Sequence, residues 1–100
     1  MARPRIMCDK TELVLIDVTS RSASVHNLQF DEVTRIQFGT RRELSWFRLV
    51  ETDSIEIHSR KRIEPFIFSR RRNRQLFDQY RTDLRRFAER NSVTLAEGSG

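Results

Sequence analysis

Apolar and polar residues alternate along the first two thirds of the chain, then change period. Glu12 to Val18 reads Glu-Leu-Val-Leu-Ile-Asp-Val, a short strand rich in β-branched residues. The polar stretch Thr19-Ser20-Arg21-Ser22 marks a turn, and Ala23 to Phe30 resumes with Leu28 and Phe30 spaced by two, as in a half-buried strand. After a break at Asp31-Glu32, Val33, Ile36 and Phe38 restore the apolar pattern, and Gly39 signals a turn through Thr40, Arg41 and Arg42. Trp46 to Glu51 reads as a further strand, with Phe47 and Leu49 on one face and Trp46, Arg48 and Val50 on the other. Thr52-Asp53-Ser54 is the turn expected after it. Ser54 to Ser59 alternates with Ile55 and Ile57 inward, and Ile63 to Ser69 carries Phe66 and Phe68 at period two. Pro65 marks that last strand as an edge or a bulge. Arg5 to Asp9 adds one candidate strand at the start.

Past Ser69 the period becomes helical. Leu76, Phe77, Tyr80, Leu84, Phe87 and Ala88 line one face of an α-helix, with Asn73 or Ser69 as its N-cap and Asn91 as its stop. Arg85, Arg86 and Arg90 sit near its end, where the helix dipole favours cations. Strands followed by one helix predict an α+β fold: a bent antiparallel sheet or partial barrel of about six to seven strands, closed by one C-terminal amphipathic helix. Residues 1–96 read as a single domain, and residues 97–100 as a small flexible tail.

Composition narrows the class. With 37% hydrophobic and 33% charged residues in 100, the chain has material for one core and too much for disorder. Cys8 is the one cysteine, so no intrachain disulfide forms, which fits a reducing cytoplasmic setting. Met1 to Lys10 contains no signal-peptide core, and the longest apolar run, Leu13 to Ile16, is far short of the roughly 20 residues of a membrane helix. The net charge is +5, and 17 of the 19 basic residues are arginine. Arginine keeps its proton and forms planar forks to phosphate and carboxylate. Such a surface suits nucleic acid, acidic lipid or an acidic partner, or serves as solubilising charge.

The segment Phe30-Asp31-Glu32-Val33-Thr34-Arg35-Ile36-Gln37-Phe38 resembles the aromatic-Asp-Glu-aliphatic-x-x-Ile stretch of bacterial pleckstrin-homology-like domains. Phe66-Ile67-Phe68 running into Gln75-Leu76-Phe77-Asp78-Gln79-Tyr80 is similar to their last strand and closing helix. The resemblance spans roughly residues 11–91 and implies a strongly bent sheet or partial barrel plugged at one end by the helix. The basic signature of phosphoinositide-binding members does not accompany it: Lys10 is followed by Thr11-Glu12-Leu13, and the next such cluster is Arg60-Lys61-Arg62. The closing helix carries Phe77, Tyr80 and Phe87 where eukaryotic members tend to have tryptophan.

For catalysis the sequence offers little. His26 and His58 alternate with apolar residues in strands and are expected to face solvent. One cysteine and two histidines form no zinc-ligand spacing, Asp9, Asp17, Asp31 and Asp53 are scattered, and Gly39 stands alone. No enzyme activity, metal or cofactor is expected. The candidate anion-binding residues are Arg60, Lys61 and Arg62 at one end of the last strand, and Arg70, Arg71, Arg72 and Arg74 at the other, leading into the helix N-terminus. Four arginines beside a positive dipole end imply a compensating anion or acidic residues. Trp46 is the candidate partner contact, because neighbouring Phe47 occupies the opposite strand face. The leading expectation is a binding or assembly module acting through a protein partner or as a homo-oligomer. The alternative is an anion-directed binder of acidic lipid or nucleic acid.

Overall fold

Strand alternation is realised in seven strands, and the computed structural model describes residues 3–19 and 21–98. β1 (Arg5–Cys8), β2 (Glu12–Val18) and β3 (Ala23–Gln29) form a three-stranded antiparallel sheet in that order. A 3₁₀ turn at Phe30–Glu32 leads to β4 (Val33–Ser45), β5 (Arg48–Ser59) and β6 (Arg62–Ser69). A second 3₁₀ turn at Arg70–Arg72 leads into α1 (Phe77–Asn91), and β7 (Leu95–Glu97) comes after it. The second sheet has the order β6-β5-β4-β7. The two sheets share no ladder, so the α+β fold is a bent pair of sheets with one C-terminal helix and not a closed barrel.

The core lies between the sheets and under the helix. Leu13, Leu15 and Leu28 come from the first sheet, Ile36, Ile55, Ile57 and Phe68 from the second, and Phe77, Leu84 and Phe87 from α1. Side chains at alternate strand positions and at i, i+3 and i+4 on the helix meet because each element projects one apolar face. Burying one such side chain contributes roughly 1.5–3 kcal/mol. α1 packs on β1 and β4.

Several expected boundaries move. No turn forms at Gly39 or at Thr52-Asp53-Ser54: Gly39 lies opposite Ser54 in a β4–β5 ladder that runs without a register shift from Arg35 to Ser45. Gly39 serves a close approach instead, since a Cβ there would meet the Gly98 carbonyl oxygen at 3.2 Å. The strand expected to begin at Trp46 begins at Arg48, and Trp46 and Phe47 form the hairpin turn. Phe30 belongs to the 3₁₀ turn and is exposed. Pro65 does sit in an edge strand.

Neither Asn73 nor Ser69 caps the α-helix. Ser69 precedes the 3₁₀ turn, while the Asn73 carbonyl accepts the amides of Leu76 and Phe77 at 3.2 and 2.9 Å. Leu76 is the N-cap residue and points outward, leaving Phe77, Tyr80, Leu84, Phe87 and Ala88 as the buried face. The helix ends at Asn91, with Ser92 in the left-handed region (φ 55°) and the Val93 amide donating to the Ala88 carbonyl.

The tail expectation also changes. β7 pairs parallel to β4 from Ile36↔Leu95 to Phe38↔Glu97, and the Gly98 amide donates to the Phe38 carbonyl at 3.0 Å. Ser99 and Gly100 lie outside the described residues.

Leu84→Ala, at a fully buried helix position, should lower unfolding free energy by about 2–5 kcal/mol, read from the urea midpoint. Leu44→Ala, at an exposed position, should change it by no more than about 0.5 kcal/mol.

Candidate functional site

The two basic clusters sit at opposite ends of β6, about 23 Å apart for eight extended residues. They do not converge on one site. At the β5–β6 turn, Lys61 Nζ lies 3.2 Å from Glu32 Oε2 and donates to the Asn27 carbonyl at 3.2 Å. The Arg62 guanidinium lies 3.7 Å over the Phe66 ring and donates to the Glu64 and Pro65 carbonyls. The Lys61–Asn27 bond ties the β5–β6 turn to β3, while these Arg62 contacts stay within β6. Arg60 is exposed, and no ion pair of its side chain occurs among the described residues.

At the other end the charge problem of the arginine run is met from within the fold. Arg70 Nε donates to Asp53 Oδ2 at 2.8 Å, and its Nη2 donates to Asp78 Oδ1 at 2.9 Å. One guanidinium therefore joins β5 to the first turn of α1, where Asp78 also offsets the positive dipole end. Hydrogen bonds donated to Asp78 and then Asp53 hold Arg70 more firmly protonated, and the Arg70 hydrogen bond in turn lowers the Asp78 carboxyl below its ordinary value. Arg71 donates to Ser45 Oγ at 2.8 Å, and Arg72 to the Val18 carbonyl at 3.3 Å. Arg70, Arg71 and Arg74 line a cleft of about 380 Å³, and Glu51 and Asp53 share its wall, so its charge is mixed. A smaller cleft of about 160 Å³ is lined by Arg41, Glu43, Ser69 and Arg72.

Neither histidine faces solvent freely. His26 packs against Phe66 with ring centroids 4.9 Å apart, and His58 Nε2 lies 3.2 Å from Arg35 and 3.3 Å from Glu56. Burial, and then the nearby Asp83 charge, push the Cys8 thiol up to about 12, which disfavours the nucleophilic thiolate. Among the described residues no group of three or more His, Cys, Asp or Glu side chains is placed to hold a metal.

The most unusual surface is the outer half of the β4–β5 hairpin. β6 leaves the ladder at Ser54↔Ser69, and β7 covers β4 only from Ile36 to Phe38. From Thr40↔Asp53 to Ser45↔Arg48 the hairpin is therefore a two-stranded arm, about 17 Å long. One face of the arm carries the half-buried Glu43, Ser45 and Val50. Its other face is bare, with Leu44 and Leu49 directly opposite each other and 73% and 62% exposed. At the tip Trp46 is 91% and Phe47 100% exposed.

These two rings adopt φ of 50° and 69°, the left-handed geometry of a two-residue hairpin turn. Asn-Gly fits that turn with little strain, whereas bulky residues there cost energy. Trp46, singled out from the sequence, is thus exposed at a turn and not on a strand face. Phe47 and Leu49 escaped notice in the sequence because strand alternation gave each a place on a sheet, and Leu44 lay between the expected turn and the expected strand. The Trp-Phe pair without Gly or Asn hides the turn. Arg48 adjoins the turn, Arg42 stands opposite Glu51 behind the leucine pair, and Arg41 lies nearer the base of the arm opposite Thr52; all three are exposed and without an ion pair among the described residues.

No protein-family model, no curated protein and no solved structure matches the chain, so the functional reading rests on its own geometry.

The Asp78 carboxylate, titrating below its ordinary 3.8, contributes stability that is complete above that value and lost as pH falls through the depressed one. Asp78→Asn should therefore be less stable than the parent at neutral pH. The gap should close progressively below about pH 4 in urea unfolding curves measured across pH. A gap of constant size into acid would show that the Arg70 pairing is not its source.

Proposed function

We propose that this chain is a non-catalytic binding module of the pleckstrin-homology-like type, and that the β4–β5 arm is its working element. The observation that supports this reading is the pair Trp46-Phe47, almost wholly exposed and held with positive φ. A fold gains nothing from two large rings in that backbone region, because they touch no core and carry strain of order 1–3 kcal/mol each. Backbone strain of this kind collects at functional sites. The order of six strands followed by one amphipathic helix supports the family resemblance. The engaged histidines and the raised Cys8 thiol favour binding over catalysis.

Anion-directed binding enters as part of the same reading. Arg70, Arg71 and Arg72 are occupied by partners inside the fold. Arg48 beside the tip and Arg42 and Arg41 behind it on the same arm are placed to steer it toward negative charge. The arm would then contribute apolar contact at its end and electrostatic guidance behind it.

The double variant W46N/F47G tests this reading. Its turn suits the backbone, so its unfolding free energy should rise by roughly 1–3 kcal/mol. It should also lose whatever the parent protein captures from native lysate. An unchanged or lower stability would mean that the rings serve the fold, and would remove the basis for assigning the arm a binding role.

A further inference from the structure

The geometry points to an anionic lipid bilayer as the surface that the arm tip enters. This inference rests on the docking role of the arm proposed above, and names the counter-surface. Trp46, Phe47, Leu44 and Leu49 form a continuous apolar end with no partner in the fold. The Leu44↔Leu49 pair stands two residues behind the turn, so the apolar end is about 7 Å deep along the strands. That depth matches the roughly 5–10 Å to which amphipathic elements sink at the headgroup boundary. Tryptophan is favoured in this zone, because its ring is apolar and its N–H reaches the wet layer.

The basic residues stand at matching heights. Arg41 and Arg42 lie three and two residues behind Leu44, at the level of headgroup phosphates once the tip is immersed. Arg48 lies beside the turn, and its long stem lets the guanidinium reach back to the same layer. Charge also separates the bilayer from other occupants. A second copy would bring the same three arginines and a net +5 against this tip. A single-stranded nucleic acid offers stacking to Trp46 and Phe47 but nothing apolar for the leucine pair. A bilayer needs no shaped groove and accepts all four side chains.

Trp46 is the sole tryptophan, so its fluorescence reports the tip directly. With vesicles of phosphatidylcholine containing phosphatidylglycerol, its emission should shift to the blue and the protein should co-sediment. Vesicles of phosphatidylcholine alone should produce neither effect, and added salt should weaken binding. Replacing Arg41 or Arg42 by Gln should weaken binding about fivefold for each arginine removed. Phe47→Ser should lose the shift while keeping its far-ultraviolet circular dichroism and a urea midpoint at least equal to the parent's. Unchanged emission with the anionic vesicles would overturn the assignment, and so would co-sedimentation without a shift. A W46N/F47G protein that is more stable than the parent, with no vesicle response from the parent, would reject the bilayer alone. The docking role of the tip would then pass to a protein or nucleic-acid surface.

Discussion

Two sheets that share no ladder are held together chiefly by the side chains packed between them, and here one helix completes that contact. Phe77, Leu84 and Phe87 enter the space bounded by Leu13, Leu15, Ile36 and Ile57, and all seven are essentially removed from water. Without α1 the inner faces would be open to solvent, and their burial is the main favourable contribution to folding. The helix also positions the last strand. Its left-handed end at Ser92 redirects the chain so that β7 can run parallel to β4. β7 covers an otherwise bare strand edge, and Gly39 is the residue whose missing side chain permits the Gly98 carbonyl to approach. Arg85 reaches from the helix to Glu97, a charge-assisted contact that holds the two elements together.

The arginines divide into two populations by their surroundings. Arg62 lies on Phe66 and beneath backbone carbonyls, and Arg70 bridges Asp53 and Asp78. Arg70 is a joint between β5 and α1, and Arg62 folds back along its own strand; in both the planar guanidinium satisfies more than one acceptor. Arg41, Arg42 and Arg48 stand on the arm, outside this network. A basic composition therefore does not translate into one basic site. Part of the charge is engaged inside the molecule, part is spread over the surface as at Arg60, Arg86 and Arg90, and three arginines lie on the arm that carries the exposed Trp46-Phe47 tip.

Much of the architecture was legible along the chain because it follows from periodicity. The alternation of Leu13 and Leu15 and of Ile55 and Ile57, with Phe66 and Phe68, placed their strands and their inward faces. The 3.6-residue spacing of Phe77, Tyr80, Leu84 and Phe87 placed the helix. Local turn chemistry was less reliable. Gly39 and Thr52-Asp53-Ser54 carry turn residues yet run through a continuous ladder, because long-range pairing across β4 and β5 outweighs a local preference. Trp46-Phe47 carries strand residues yet turns. At the candidate site, the sequence pointed to Trp46 but gave it a strand position, and Phe47, Leu44 and Leu49 became visible only as an exposed group.

The class of fold and the composition of its core were determined by the sequence alone, since each apolar face is set by spacing within a single element. Tertiary structure decided the relations between elements. It joined Arg70 to acids 17 residues before it and eight after, paired a C-terminal strand with β4, and left the two basic clusters at opposite ends of β6. It also ended the neighbouring strands at Ser54 and Phe38, so that beyond them the β4–β5 hairpin has no further strand at either edge and packs on one face alone. The exposure of its tip depends on where other segments stop, and no local pattern around Trp46 encodes that.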